Sequence, residues 1–286
     1  IKESLATNKI DKVYGILNGT CNYILSEMEN TKDSFTNVLK KAQKHGYAEP
    51  GNPKLDLNGY DAFAKVRILS SLSFNKKISN KKCLMEGIEN IDYKDIDIAN
   101  KLNFRIKLLG ITELIDNQLF ERVHPCLVKK DSYIGNVNGV MNAVIVNGYP
   151  IGESILQGEG AGPGATSSAL MSDFLSILRG NIKYPFGLPQ IKRKIPTIYN
   201  VDRYSNSLYL RFEVKDKSGV LSQITKELAK RKISVERLIQ IPNHKRKTAS
   251  IVIITHKANE YNAQKCIKSI KSNINILKNP TLIRLL

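Results

Sequence analysis

Glu49, Asp56, Asp61 and Lys65 crowd one short stretch of this 286-residue chain. Asp61 and Lys65 are spaced i,i+4, so on a helix both side chains project from one face. Asp56 and Asn58 fall just before or at the start of that helix, and Glu49 lies beyond the loop Pro50-Gly51-Asn52-Pro53. A lysine beside carboxylates relays a proton once burial or a ligand tunes its pKa. The carboxylates also suit a substrate ammonium or hydroxyl. The same spacing makes an ordinary surface ion pair worth a few tenths of a kcal/mol, and an Asp opening a helix often only caps it. Spacing alone leaves these alternatives open.

The elements that must position these groups follow from periodicity and breakers. Residues 12–17 form a short strand that stops at Asn18-Gly19-Thr20, and residues 21–28 have helical spacing. A second helix covers 34–44 and ends at Gly46. The Pro/Gly loop excludes helix, and helix resumes over 57–72 with Ala62, Val66 and Leu69 on a buried stripe. Residues 95–102 are helical, while 106–114, 119–128 and 140–146 are β-rich, the first two joined across Asp116-Asn117. Gly158, Gly160, Gly162 and Gly164 precede a helix over 166–179. Glycine lets backbone N–H groups approach a ligand, and a helix N-terminus favours phosphate, although such runs also serve as plain turns. Residues 183–206 carry three prolines and read as a linker. Beyond it the order is βαββαβ over 207–286, a ferredoxin-like plan. The fold class is therefore α+β: a mixed sheet with helices on one face over residues 1–182, then the smaller unit.

Composition narrows the functional classes. Hydrophobic residues make up 42% and charged residues 24%, ordinary for a globular protein and unlike a disordered or low-complexity chain. No apolar run reaches the ~18–20 residues of a membrane span. Net charge is +18, but lysine supplies 33 of the 44 cations, and residues 207–286 alone carry +12. Phosphate and base recognition favours arginine's planar fork, and no aromatic-interleaved basic strand accompanies the charge, so nucleic acid is not the expected partner. Cys21, Cys83, Cys126 and Cys266 are far apart and the four histidines are scattered, which argues against a metal site and for free thiols in a reducing cytoplasm. The chain opens Ile1-Lys2-Glu3-Ser4-Leu5, which reads as mid-helix and without a signal peptide.

Four ordered motifs carry a resemblance. They are Gly15-Ile16-Leu17-Asn18-Gly19-Thr20-Cys21-Asn22-Tyr23, the block from Gly46-Tyr47-Ala48-Glu49 through Asp56-Leu57-Asn58-Gly59-Tyr60-Asp61 to Lys65, Arg122-Val123-His124-Pro125, and Gly158 to Thr166. Residues 1–180 resemble the homoserine dehydrogenase family. The resemblance implies NAD- or NADP-dependent interconversion of L-homoserine and L-aspartate 4-semialdehyde in threonine and methionine biosynthesis, by a homo-oligomer. It implies that Lys65 transfers the proton of the substrate hydroxyl with Asp61 as its catalytic partner, that Asp61 and Glu49 hold homoserine with Asp56 an acidic neighbour in the same pocket, and that Thr20 and Tyr47 line the substrate site. Gly160 and Gly162 then face the nucleotide. The loop between Glu49 and Asp56 is one residue longer than the family's usual spacing. The family's cofactor-binding βαβ unit is not among residues 1–17, so most of the nucleotide site is expected outside this chain, and the isolated chain is expected not to transfer hydride.

Asp216-Lys217-Ser218-Gly219-Val220-Leu221, followed by Ile233-Ser234-Val235-Glu236, resembles the ACT regulatory domain. The resemblance implies amino-acid binding, threonine being the candidate, at the turn holding Asp216, Gly219 and Val220. A catalytically incomplete amino-acid sensor and a purely dimerising module are the alternatives.

Overall fold

The structure, a computed structural model, describes residues 1–51, 53–81, 83–181 and 184–286. Asn52 of the proline loop and the boundary expected at 182–183 lie outside the described residues. The chain divides into two compact units, residues 1–125 with 129–199, and residues 126–128 with 200–286.

The first unit runs β1 (Lys9–Ile16), α1 (Gly19–Thr31), α2 (Phe35–Lys44), α3 (Lys54–Leu57), α4 (Tyr60–Phe74), β2 (Leu84–Met85), α5 (Tyr93–Lys101), β3 (Phe104–Ile115), β4 (Gln118–Lys129), β5 (Met141–Tyr149), β6 (Gly152–Glu159) and α6 (Pro163–Leu178). Its sheet has the order β6-β5-β1-β3-β4. β1 is antiparallel to both β3 and β5, and β2 is parallel to β4, which makes the sheet mixed as expected. Asp116 and Asn117, both at positive φ, close the two-residue turn between β3 and β4. That matches a primed hairpin turn, whose twist suits the flanking strands. Leu5, Ile10, Val13, Phe74, Leu119 and Val146 form one apolar cluster on this sheet.

Three local outcomes differ from the expectations. Residues 2–7 are turns rather than helix. The helix expected over 57–72 begins only at Tyr60 as α4, because Gly59 sits in the left-handed region at φ 86, and an unforeseen helical turn, α3, precedes it. A strand, β6, was not foreseen, since Gly152-Glu153-Ser154-Ile155-Leu156-Gln157-Gly158-Glu159 is polar, glycine-flanked and exposed along one sheet edge. Part of the stretch read as a linker is also pinned to the first unit. Lys77 N donates to Lys194 O, Leu119 N to Thr197 O and Tyr199 N to Leu119 O.

The second unit contains β7 (Ser205–Asn206), β8 (Leu208–Lys215), α7 (Val220–Lys230), β9 (Val235–Asn243), β10 (Thr248–Thr255), β11 (Ala258–Asn259), α8 (Glu260–Lys271) and β12 (Thr281–Leu285). Its antiparallel sheet has the order β12-β8-β10-β9, the ferredoxin-like arrangement, with the small pair β7–β11 beside it. Leu208, Leu210, Phe212, Ile251 and Ile253 of the sheet pack on Ile224, Leu228, Ala263, Cys266 and Ile270 of the two helices. Alternation along β8 and β10 therefore supplies one side of this core and 3.6-residue periodicity the other. Among the described residues, no helix is long and apolar enough to cross a membrane.

Candidate active site

The carboxylate–lysine group is assembled where β1 ends. Asn18 leaves the strand in extended conformation (φ −134, ψ 112) and caps α1, its Oδ1 accepting from Cys21 N at 2.9 Å. Its amide nitrogen donates to Asp56 Oδ1 at 2.8 Å and to Asp61 Oδ2 at 2.9 Å. Lys65 Nζ donates to Asp61 Oδ2 at 2.7 Å and to Leu17 O at 2.9 Å. The kink at Gly59 makes this convergence possible, because it lets Asp56 on α3 and Asp61 on α4 face the same asparagine. Both partners of the Asp61–Lys65 pair remain partly exposed, at 34% and 45% of their side-chain surface.

These groups line an open cleft of about 550 Å³ together with Gly19, Thr20, His45, Gly46, Tyr47, Val140, Asn142, Glu159, Gly160, Ala161 and Gly162. Thr20 Oγ1 donates to Tyr47 O at 2.6 Å, which joins the start of α1 to the segment after α2. The Tyr47 ring packs on Tyr23, with centroids 4.7 Å apart, and stacks on His45. Beneath the cleft Cys21 is fully buried, and its thiol donates to Asp56 O. Burial first, then the charges of Asp56 and Asp61, hold this thiol well above its ordinary range. Cys21 therefore stays protonated and packs as a small hydrophobe rather than acting as a nucleophile.

Of the residues singled out by sequence, the structure brings together Thr20, Tyr47, Asp56, Asp61, Lys65, Gly160 and Gly162. Glu49 is exposed and is not among the cleft-lining residues. Its neighbour Ala48 is buried, with its N–H on Ala42 O, which turns the Glu49 side chain to solvent. Sequence reasoning missed Asn18, His45, Asn142 and Glu159. Asn18 left a signal as a polar residue where a strand meets a helix, and Glu159 lay within the glycine motif without being singled out. In the second unit, Gly219 holds φ 86 before α7, Asp216 is exposed, and Val220 is buried in the core, which leaves its backbone for any ligand.

The glycine run opens α6, a helix of 16 residues with Pro163 in its first turn and no acidic residue there. Gly162 sits at φ 106, where a side chain is strained, and a Cβ at Gly162 or Gly164 would meet nothing within 4 Å. At Gly160 a Cβ would overlap the Asn142 amide. An open backbone at the positive end of a helix fits the anionic part of a nucleotide. Among the described residues, no group of three His, Cys, Asp or Glu side chains is placed to hold a metal ion.

A family model described as homoserine dehydrogenase matches residues 1–175. The chain belongs to the homoserine dehydrogenase family. A second model, the ACT domain, matches residues 208–275. The homoserine dehydrogenase of Neisseria gonorrhoeae is 39% identical over 291 residues, covering 100% of this chain and 67% of that protein. That of Helicobacter pylori is 37% identical, with coverage of 100% and 67%. The solved structure of a homoserine dehydrogenase from Thiobacillus denitrificans superposes with a TM-score of 0.89 at 34% identity, covering 100% of this chain and 66% of that one. The chain thus spans about two thirds of the length of these family members.

Proposed function

We propose that the cleft interconverts L-homoserine and L-aspartate 4-semialdehyde with NAD or NADP, in the cytoplasm. The observation that carries this reading is the hydrogen-bonded group Asn18–Asp61–Lys65 beside Asp56, lining one cleft together with the glycine run. In the reducing direction Lys65 Nζ gives a proton to the aldehyde oxygen as that oxygen becomes an alkoxide. Its charge stabilises the developing anion, and in the reverse direction the neutral amine takes the proton back. Asp61 aims the lysine. Among the described residues Asp56 and Asp61 each keep a second oxygen without a protein partner, suited to the substrate's ammonium. Thr20 and Tyr47 shape the pocket around the amino-acid end. Gly160 and Gly162 would receive the nucleotide, which when bound would supply or accept the hydride through its nicotinamide.

The test is steady-state turnover of aspartate 4-semialdehyde by the natural protein with NADPH and NADH. Turnover that disappears in Lys65→Met supports the reading. A folded protein that binds nucleotide yet reduces no semialdehyde overturns it.

The turn of Asp216, Gly219 and Val220 is the proposed regulatory site. Gly219 frees backbone N–H groups at the start of an 11-residue helix for an amino-acid carboxylate, threonine being the candidate ligand. Threonine should raise the melting temperature or change the oligomer size, and failure to do either removes the regulatory role. Assembly as a homo-oligomer is supported by the exposed edge strand β6 and by the exposed Leu170, Met171, Phe174, Leu175, Ile177 and Leu178 of α6.

A further inference from the structure

We infer that Asn18 is a positioning residue that fixes the spacing of Asp56 and Asp61 while leaving their charge for the ligand. The inference rests on the catalytic reading above and adds a residue to it.

Asn18 is only 6% exposed, and both the oxygen and the nitrogen of its side-chain amide are hydrogen-bonded. The carbonyl oxygen caps α1, and the amide nitrogen reaches one carboxylate on α3 and one on α4. Two carboxylates this close repel each other, and the polypeptide between them is bent at Gly59 rather than continuous helix. Something must hold them. A lysine or arginine would do so by neutralising them, and a site built to receive a substrate ammonium would lose the attraction it needs. An amide supplies two N–H donors in a fixed plane without adding charge. Among the described residues the only cation on the pair is then Lys65, whose Nζ shares Asp61 Oδ2 with the asparagine and is tied to Leu17 O, the residue before Asn18. The Leu17-Asn18 corner therefore sets the lysine, through the main chain, and both carboxylates, through the side chain. With Oδ2 of Asp61 and Oδ1 of Asp56 engaged, each group has one oxygen left to present.

Capping and tethering are separable by chemistry. Asn18→Ser keeps a good helix cap but is too short to reach either carboxylate. Asn18→Asp keeps the length and the cap but replaces two donors with a third negative charge. The experiment is the crystal structure and the steady-state kinetics of both variants beside the wild-type natural protein. Positioning predicts that Asn18→Ser melts within a few degrees of wild type, whereas Asn18→Asp, which sets a third carboxylate against two others at a buried position, melts lower. In Asn18→Ser the carboxylates should move apart or rotate, and kcat/KM for homoserine should fall about 10- to 100-fold with nucleotide affinity unchanged. Asn18→Asp should lose at least as much. Carboxylates unmoved in Asn18→Ser, or moved with wild-type kcat/KM in both variants, would overturn the inference and leave Asn18 as a cap alone. If the wild-type protein itself turns over no homoserine, the catalytic reading fails. The carboxylate positions in the two crystal structures then decide whether Asn18 is a tether.

Discussion

Gly87→Ala should damage the site from outside it. Gly87 lies against the junction of α3 and α4, and Ile88 N donates to Leu57 O there at 2.9 Å. A Cβ at residue 87 would overlap Leu57 O and stand 2.5 Å from Asn58 Cα, whereas real Cβ atoms stay beyond 3.0 Å. The obstructing atoms are backbone, so the junction must open by about half an ångström at Asn58 and further at Leu57. Overpacking of this kind costs about 1–3 kcal/mol, and loss of the Ile88–Leu57 hydrogen bond adds about 1 kcal/mol. A loss of about 2–4 kcal/mol in a unit of this size lowers Tm by roughly 5–15 °C. The same opening carries Asp56 away from Asn18, and misplacement on that scale costs up to about 100-fold in kcat/KM. Calorimetry and turnover of the same preparation measure both effects. Gly164→Ala is the control for the calorimetry alone, because its Cβ meets nothing in the protein and the position is helical, so Tm should hold or rise slightly. A Gly87→Ala protein with wild-type Tm and kcat/KM would refute the claim that this junction braces Asp56.

Three further outcomes follow from individual groups. Lys65→Met should lower kcat by about 10²- to 10⁴-fold. Its Tm should barely change, because a partly exposed i,i+4 pair contributes only about 0.3–0.5 kcal/mol; a Tm collapse would make the lysine structural. Burial pushes Lys107 down to about 8, although Asn22, Val137 and Asn138 oxygens surround its ammonium. Between about 8 and the ordinary lysine value of 10.5 the unfolded chain therefore binds the extra proton, and stability gained from this group rises with pH across that window. In chemical melts the stability of wild type relative to Lys107→Met should therefore rise with pH across that window, and a difference that stays constant would contradict the burial argument. Iodoacetamide on the native protein should modify half-buried Cys83 first, and slowly, because burial pushes that thiol up to about 11. Rapid labelling of Cys21 instead would show that the floor of the cleft is open.

The order of the second unit's four long strands and two helices was legible in the sequence, because its helices carry apolar stripes between β-rich runs, whereas the short pair β7–β11 was not. What patterning cannot show there is the fully buried Arg284, whose guanidinium meets Glu260 at 2.6 Å inside the unit. A charge at a buried position leaves no periodic signal. The lysine excess of this unit lies largely on its exposed surface, as at Lys226, Lys230, Lys245, Lys247 and Lys265.

In the first unit the Asp61–Lys65 pair was readable because i,i+4 spacing on a helix fixes a face whatever the tertiary context. Asp56 was readable as a neighbour, but its meeting with Asp61 depends on the left-handed turn at Gly59, which a helical pattern conceals. Glu49 lies in the same motif but is exposed and outside the described cleft lining, while its neighbour Ala48 is buried, a distinction that motif spacing does not carry. Asn142 and Glu159 arrive from β5 and β6, more than seventy residues along the chain, and only sheet register brings them to the cleft.

The most direct measurement of the central claim is a crystal structure of the natural protein with L-homoserine bound. The account predicts the substrate hydroxyl within about 3.2 Å of Lys65 Nζ, with the ammonium on the free oxygens of Asp56 and Asp61. Homoserine bound elsewhere, or seated in the cleft with its hydroxyl turned away from Lys65, would contradict it.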